Sequence, residues 1–136
     1  MSAAGTYAGR SAGIAAYRDA HVGSAHGASP HAVVAMLLDG AIARLAAARG
    51  HVERGEVPAK AEALSRALAI VEALRLALDH GRGGEIAHNL EALYEYVSLR
   101  ITEGNLNNST RALDEAAALL GEVRSAWSAV APGAGG

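Results

Sequence analysis

Glu85-Ile86-Ala87-His88 is the one Glu-x-x-His pair in this chain of 136 residues, a carboxylate and an imidazole at a metal-ligand spacing. Di-iron helical bundles use such a Glu-x-x-His pair on each of two helices, with a Glu from each of the other two. No second Glu-x-x-His occurs here. Asp39, Glu53, Glu62, Glu72, Glu115 and Glu122 fall between apolar stripes and are expected in solvent, so a di-iron reading is set aside. His21, His26 and His31 recur every five residues, on a stretch expected to be flexible, where that spacing defines no ligand geometry. No Ser-His-Asp set can be assigned, because nothing orients a base. Gly81, Gly83 and Gly84 do not follow a strand, as a phosphate-cradling loop requires. The expectation is a protein without a reaction, a cofactor or a metal, whose work is binding a partner.

Composition narrows the scaffold that must position these groups. The hydrophobic fraction is 51%, much of it alanine, with no Phe, one Trp and four Tyr. A core of Ala and Leu suits close helix packing better than a β sandwich. The net charge is −2 and no basic block stands out, so no nucleic-acid partner is expected. With no cysteine, neither a disulfide framework nor a thiolate site can form, which is compatible with a cytosolic setting. The N-terminal residues lack a basic region followed by an apolar run, so no signal peptide is expected. No stretch reaches the ~18 uninterrupted apolar residues of a membrane span, and no membrane insertion is expected.

The apolar spacing predicts four helices. Ser29 is a favourable N-cap with Pro30 in the first turn. Val34, Leu38, Ala41, Leu45, Ala48 and Val52 then alternate steps of four and three, a bundle seam, with Val33, Leu37 and Gly40 beside it. Gly55 ends this helix and Pro58 starts the next. The second carries Ala61, Leu64, Leu68, Val71 and Leu78, with Ala63, Ala67, Ile70, Leu74 and Ala77 alongside. His80 to Gly84 is expected as a turn. The third helix carries Ile86, Leu90, Leu93, Val97 and Ile101, and the run Gly104 to Asn108 breaks it. Asn108 or Ser109 caps the last, whose seam is Leu113, Ala116, Leu120, Val123, Trp127 and Val130. Short loops make sequential helices antiparallel neighbours. The predicted fold is all-α: an antiparallel up-down four-helix bundle over residues 29–131. A flexible N-terminal segment, residues 1–28, precedes it with a short helix from Ile14 to Val22, and residues 132–136 form a disordered tail.

Several pieces, in this order, resemble the FliS family of flagellin export chaperones. They are G-I-x-A-Y at Gly13 to Tyr17, S-P-H at Ser29 to His31, and M-L-x-D-G-A at Met36 to Ala41. G-E-V-x-A-K-x-E-A-L-S-x-A follows at Gly55 to Ala67, then G-G-E-I-A-x-N-L-x-x-L-Y-x-Y at Gly83 to Tyr96, and A-W at Ala126-Trp127. The resemblance implies a cytosolic four-helix bundle that binds the otherwise disordered C-terminal segment of flagellin. It would prevent premature polymerisation and aid delivery to the flagellar export gate. It also implies that Ile14 and Tyr17 fold over the groove that flagellin occupies. Leu38 stands where the family usually has Tyr or Phe. The residues expected to meet the partner are Ile14, Tyr17, Leu38, Asp39, Gly40, Glu85, Asn89 and Tyr96.

Helical geometry adds expectations of its own. A helix with two apolar stripes buries one in the bundle and leaves the other to be covered by something else. An amphipathic or extended peptide fits that need, and a homodimer in the absence of client is the alternative. Tyr17 lies close enough to Pro30 in sequence for a reach of up to ~43 Å, so Ile14 and Tyr17 can serve as an internal, weakly held lid. Tyr94 and Tyr96 are ~200° apart on a helix, so one must face out, and Tyr96 is the expected one. Trp127 is expected as a core anchor. Gly40, inside a helix, costs ~1 kcal/mol against Ala, which points to close approach of another backbone.

Overall fold

The computed structural model of the chain describes residues 29–130. The expectations for residues 1–28, Ile14 and Tyr17 included, and for the tail lie outside them. Four helices occupy almost all of the described chain: α1 (Pro30–Glu53), α2 (Val57–Leu76), α3 (His80–Asn107) and α4 (Thr110–Ala129). Among the described residues there is no strand.

Three of the four starts follow from a side-chain cap. The Ser29 hydroxyl accepts from the Ala32 amide at 3.1 Å, with Pro30 in the first turn, as predicted. Ser29, Asp79 and Ser109 supply an oxygen to an amide left without a helical partner. Asp79 changes the reading of the third helix. Its Oδ1 accepts from the Arg82 amide at 3.0 Å, so residues 80–83 coil into a helical turn rather than a loop. Gly84 then breaks the helix at φ +52°, a conformation that favours glycine, and the body of α3 starts at Glu85.

The other end of α3 also departs from expectation. Gly104 does not break the helix, which continues to Asn107 and stops at Asn108 in the left-handed conformation. Gly104 is buried beneath Leu113 of α4. A Cβ built on it would lie 2.7 Å from the Leu113 Cγ, so the missing side chain lets α3 and α4 meet here. Gly40, the expected close approach, has ordinary room: a Cβ there would sit 3.6 Å from the Ile70 Cδ1.

The helices form a ring in the order α1–α2–α3–α4, with α4 closing back on α1. Polar pairs give the antiparallel register. Asp39 pairs with Arg124, and farther along α1 Arg49 pairs with Asp114, farther back along α4. Exposed pairs of this kind contribute little to stability but mark the alignment. The core is Leu- and Ala-rich, with Leu38, Leu45, Leu64, Ile101, Leu113 and Leu120 among its fully buried side chains. α1 is long and apolar enough to cross a membrane by composition alone. Here it is the bundle's central packing element, burying Val33, Leu37, Leu38, Ala41, Leu45 and Ala48.

Two polar features lock the ends. The chain's one lysine, Lys60, is buried, and its Nζ donates to the Asn105 carbonyl at 3.0 Å and the Asn108 Oδ1 at 2.7 Å. α2 thus supplies a cation to the negative end of the α3 dipole. At the opposite end, the Trp127 indole donates to the His31 carbonyl at 2.8 Å. The two rings stack at 4.7 Å between centroids, and the His31 Nε2 lies 3.1 Å from the Trp127 carbonyl. Trp127 is the anchor expected of it. His31, which the sequence left without a role, is its partner.

Candidate partner-binding surface

The apolar surplus is concentrated on α3. On α1 the second stripe is absorbed, because Val33 and Leu37 are buried along with the seam. On α2, Ala67, Ile70 and Leu74 are buried too, so both of its stripes supply the core. α4 exposes no large hydrophobic side chain. The excess lies on α3, with Ile86 71%, Leu99 68% and Leu106 75% exposed. Leu76 and Val57, at the two ends of α2, add to it, as does Met36 on α1.

α3 carries two uncovered features. The first is an outward stripe of Ala92, Leu99 and Leu106, spaced at seven residues and all exposed. Seven residues are two helical turns, so the three share one face. The second lies on the inward stripe. Val97 and Ile101 are fully buried, Leu93 and Leu90 are partly covered, and Ile86 is largely bare. Cover therefore fails toward the start of α3. In this up-down arrangement α1 and α3 run parallel, so that uncovered end is also the end at which α1 starts, after Ser29.

The expected contact residues do not form one patch. Leu38 is fully buried in the core and offers no surface to a partner, which corrects that assignment. Its position on the α1 seam, one turn before Ala41, turns it inward between α2 and α4. Asp39 is exposed, and its Oδ1 accepts from the Arg124 Nε at 2.9 Å across the α1–α4 seam. Gly40 is half-buried beside it. Glu85, Asn89 and Tyr96 are exposed on α3 and fall on one flank of that helix by their spacing. Tyr94 is buried and Tyr96 is 44% exposed, as expected.

Glu115 organises the α3–α4 seam on that flank. The Tyr96 hydroxyl donates to its carboxylate, 3.0 Å from each oxygen, and Arg100 pairs with it at 2.6 Å. The hydrogen bond to Glu115 raises the Tyr96 phenol above its ordinary range. Arg124 and Glu115 lie about half a turn apart around α4, so the two groups of predicted residues bracket α4 from opposite sides. Sequence reasoning missed Glu115, since its role depends on two side chains of another helix.

A shallow depression of about 290 Å³ lies between α1 and α2, lined by Arg44, His51, Ala59, Glu62, Ala63 and Arg66. It is small for a ligand pocket, and three of its six lining residues are charged, unlike the mostly apolar clefts that hold small molecules. The α3 face is instead an elongated apolar surface with polar flanks. Such a surface suits a polypeptide laid along it.

A family model described as flagellar protein FliS matches residues 13–134. The flagellar secretion chaperone FliSB of Pseudomonas aeruginosa is 47% identical over 103 residues, 76% of this chain and 82% of that one. The flagellar secretion chaperone FliS of Salmonella typhimurium is 44% identical over 122 residues, covering 88% of this chain and 90% of that one. The flagellar secretion chaperone FliS of Vibrio cholerae is 40% identical over 105 residues, 77% of each chain. The match spans both the bundle and the apolar α3, and the chain belongs to the FliS family of flagellar proteins.

Proposed function

We propose that this protein is a cytosolic flagellar secretion chaperone. It binds the disordered C-terminal region of flagellin, keeps it from polymerising, and delivers it to the flagellar export gate. The observation that carries the reading is the apolar surplus on α3: Ile86, Leu99 and Leu106 lie bare on a helix whose core face is otherwise well packed. A client that is disordered when free can fold its own apolar side chains onto that strip. Its affinity comes from burial, so added salt weakens it little. In this reading Glu85, Asn89 and Tyr96 supply the polar flank of the site, and Asp39 and Gly40 contact the client beyond α4.

Ile14 and Tyr17 are proposed as a competitor for the same surface. The support is that Ile86, on the inward stripe, is uncovered at the end of the bundle where α1 starts. Closure worth ~1.4 kcal/mol would lower apparent client affinity about tenfold. Removal of residues 1–22, followed by titration with a flagellin C-terminal peptide, tests this. Tighter binding supports competition, and unchanged affinity refutes it.

A homodimer is the second reading. The seven-residue spacing of Ala92, Leu99 and Leu106 matches what a partner helix needs in a coiled-coil contact. Light scattering with and without the peptide separates the two. A monomer that forms a one-to-one complex protecting α3 from hydrogen exchange supports the chaperone reading. A constant dimer indifferent to peptide supports self-association.

A further inference from the structure

Three side chains at the corner between α2 and α3 have the donors of a metal site. His80, His88 and Glu91 place one ligand atom each within 4.8 Å of one another. His88 and Glu91 are one helical turn apart on the body of α3. His80 belongs to the first turn, before the kink at Gly84, and its ring lies beside the side chains on the body of the helix. The spacing 80, 88, 91 matches no linear motif, and the Glu85-x-x-His88 pair singled out by the sequence shares only His88 with this cluster.

The geometry around Glu91 is already divided in two. Its Oε2 accepts from Arg75 of α2 at 3.1 Å, while its Oε1 faces the His80 Nε2 at 3.5 Å. Arg75 is itself held by the Glu72 carboxylate at 2.8 Å. One carboxylate oxygen is therefore fixed by a hydrogen-bonded partner while the other is directed at an imidazole. This is how an outer-shell group orients a ligating carboxylate. The site needs no disruption of the Arg75 pair, since an ion takes Oε1 alone.

We propose that His80, His88 and Glu91 bind a divalent transition-metal ion of the Zn²⁺ class. Two imidazoles and one carboxylate suit Zn²⁺, Co²⁺ or Ni²⁺ rather than Mg²⁺ or Ca²⁺. Bonds of about 2.0–2.2 Å require ligand atoms roughly 3.3 Å apart. The His80–Glu91 separation is close to that, and rotation of the exposed His88 side chain supplies the rest. Three protein ligands leave a coordination position for water. The bound ion ties the first turn of α3 to its body across the Gly84 break, next to the bare Leu76 and Ile86.

The test uses the full chain, stripped with a chelator and titrated with Co²⁺ or Zn²⁺ alone. One ion per chain is expected, with a Co²⁺ visible absorption band of low-coordinate nitrogen and oxygen ligation. His80→Ala and His88→Ala should each weaken binding by at least about tenfold, as should Glu91→Gln. Arg75→Met should weaken it less and leave the absorption band in place. His51→Ala, on the far end of the bundle, should change nothing. Circular dichroism confirms that each variant is folded. The proposal fails if the wild-type chain shows no stoichiometric binding. It also fails if the His80→Ala/His88→Ala double variant keeps the same affinity and spectrum, which would assign the ion to other histidines.

Discussion

Replacing Leu99 and Leu106 by alanine should cripple client binding and leave the bundle intact. Both side chains are about two-thirds or more exposed, so folding buries little of them. Full burial of a leucine side chain is worth roughly 1.5–3 kcal/mol. The part still available for a client is therefore ~1–2 kcal/mol per residue, or about 5- to 30-fold in Kd for each. The two sites are separated by two turns, about 10 Å, and should act almost additively. The double variant should thus lose ~2–4 kcal/mol of binding free energy. Alanine is a strong helix former, so α3 itself is expected to tolerate the change. Fluorescence anisotropy with a labelled flagellin C-terminal peptide gives the affinities, and urea denaturation gives the stability. A double variant that binds within twofold of wild type would refute the assignment of the α3 strip. A variant that loses binding only because it unfolds would show up in the denaturation midpoint.

Other outcomes follow from the packing. Gly104→Ala should destabilise the bundle by about 1–3 kcal/mol, since its Cβ collides with the buried Leu113; Gly40→Ala should be neutral or stabilising by up to ~1 kcal/mol, and thermal melts distinguish them. Lys60→Met removes the two hydrogen bonds that cap α3 and should cost ~1.5–3 kcal/mol in urea denaturation. Burial pushes the Tyr94 phenol up to about 12. Its folded value lies above its unfolded one near 10, so its contribution is fully present below about pH 10 and is lost as pH rises toward 12, by up to roughly 2–3 kcal/mol. Tyr94→Phe should flatten that alkaline limb of the stability curve. Hydrogen bonds from His51 and Arg54 hold the Glu56 carboxyl below its ordinary range, so the α1–α2 corner should loosen as pH falls through the carboxylate range, seen as faster amide exchange there.

The number of helices, the Ser29 and Ser109 caps and the mutual direction were legible from residue order alone, because these follow from local geometry; the Asp79 cap and both ends of α3 were not. Ser29 with Pro30, the alternating three- and four-residue spacing, the outward Tyr96 and the seam position of Trp127 all depend on neighbours within a turn or two. The resemblance of the chain to its family was likewise carried by short motifs. What local spacing does not decide is which of two adjacent apolar stripes a neighbour covers. On α1 and α2 both stripes went inward, Leu38 with them, because these two helices pack most extensively against each other, whereas α3 packs less extensively on its two neighbours. On α3 the same kind of pattern left Leu99 and Leu106 outside and Ile86 bare. Gly40 and Gly104 are chemically identical, and only the approach of Leu113 makes one of them indispensable. Lys60, Glu115 and His31 acquired roles from groups 15 to 96 residues distant, through contacts that exist only once the ring has closed.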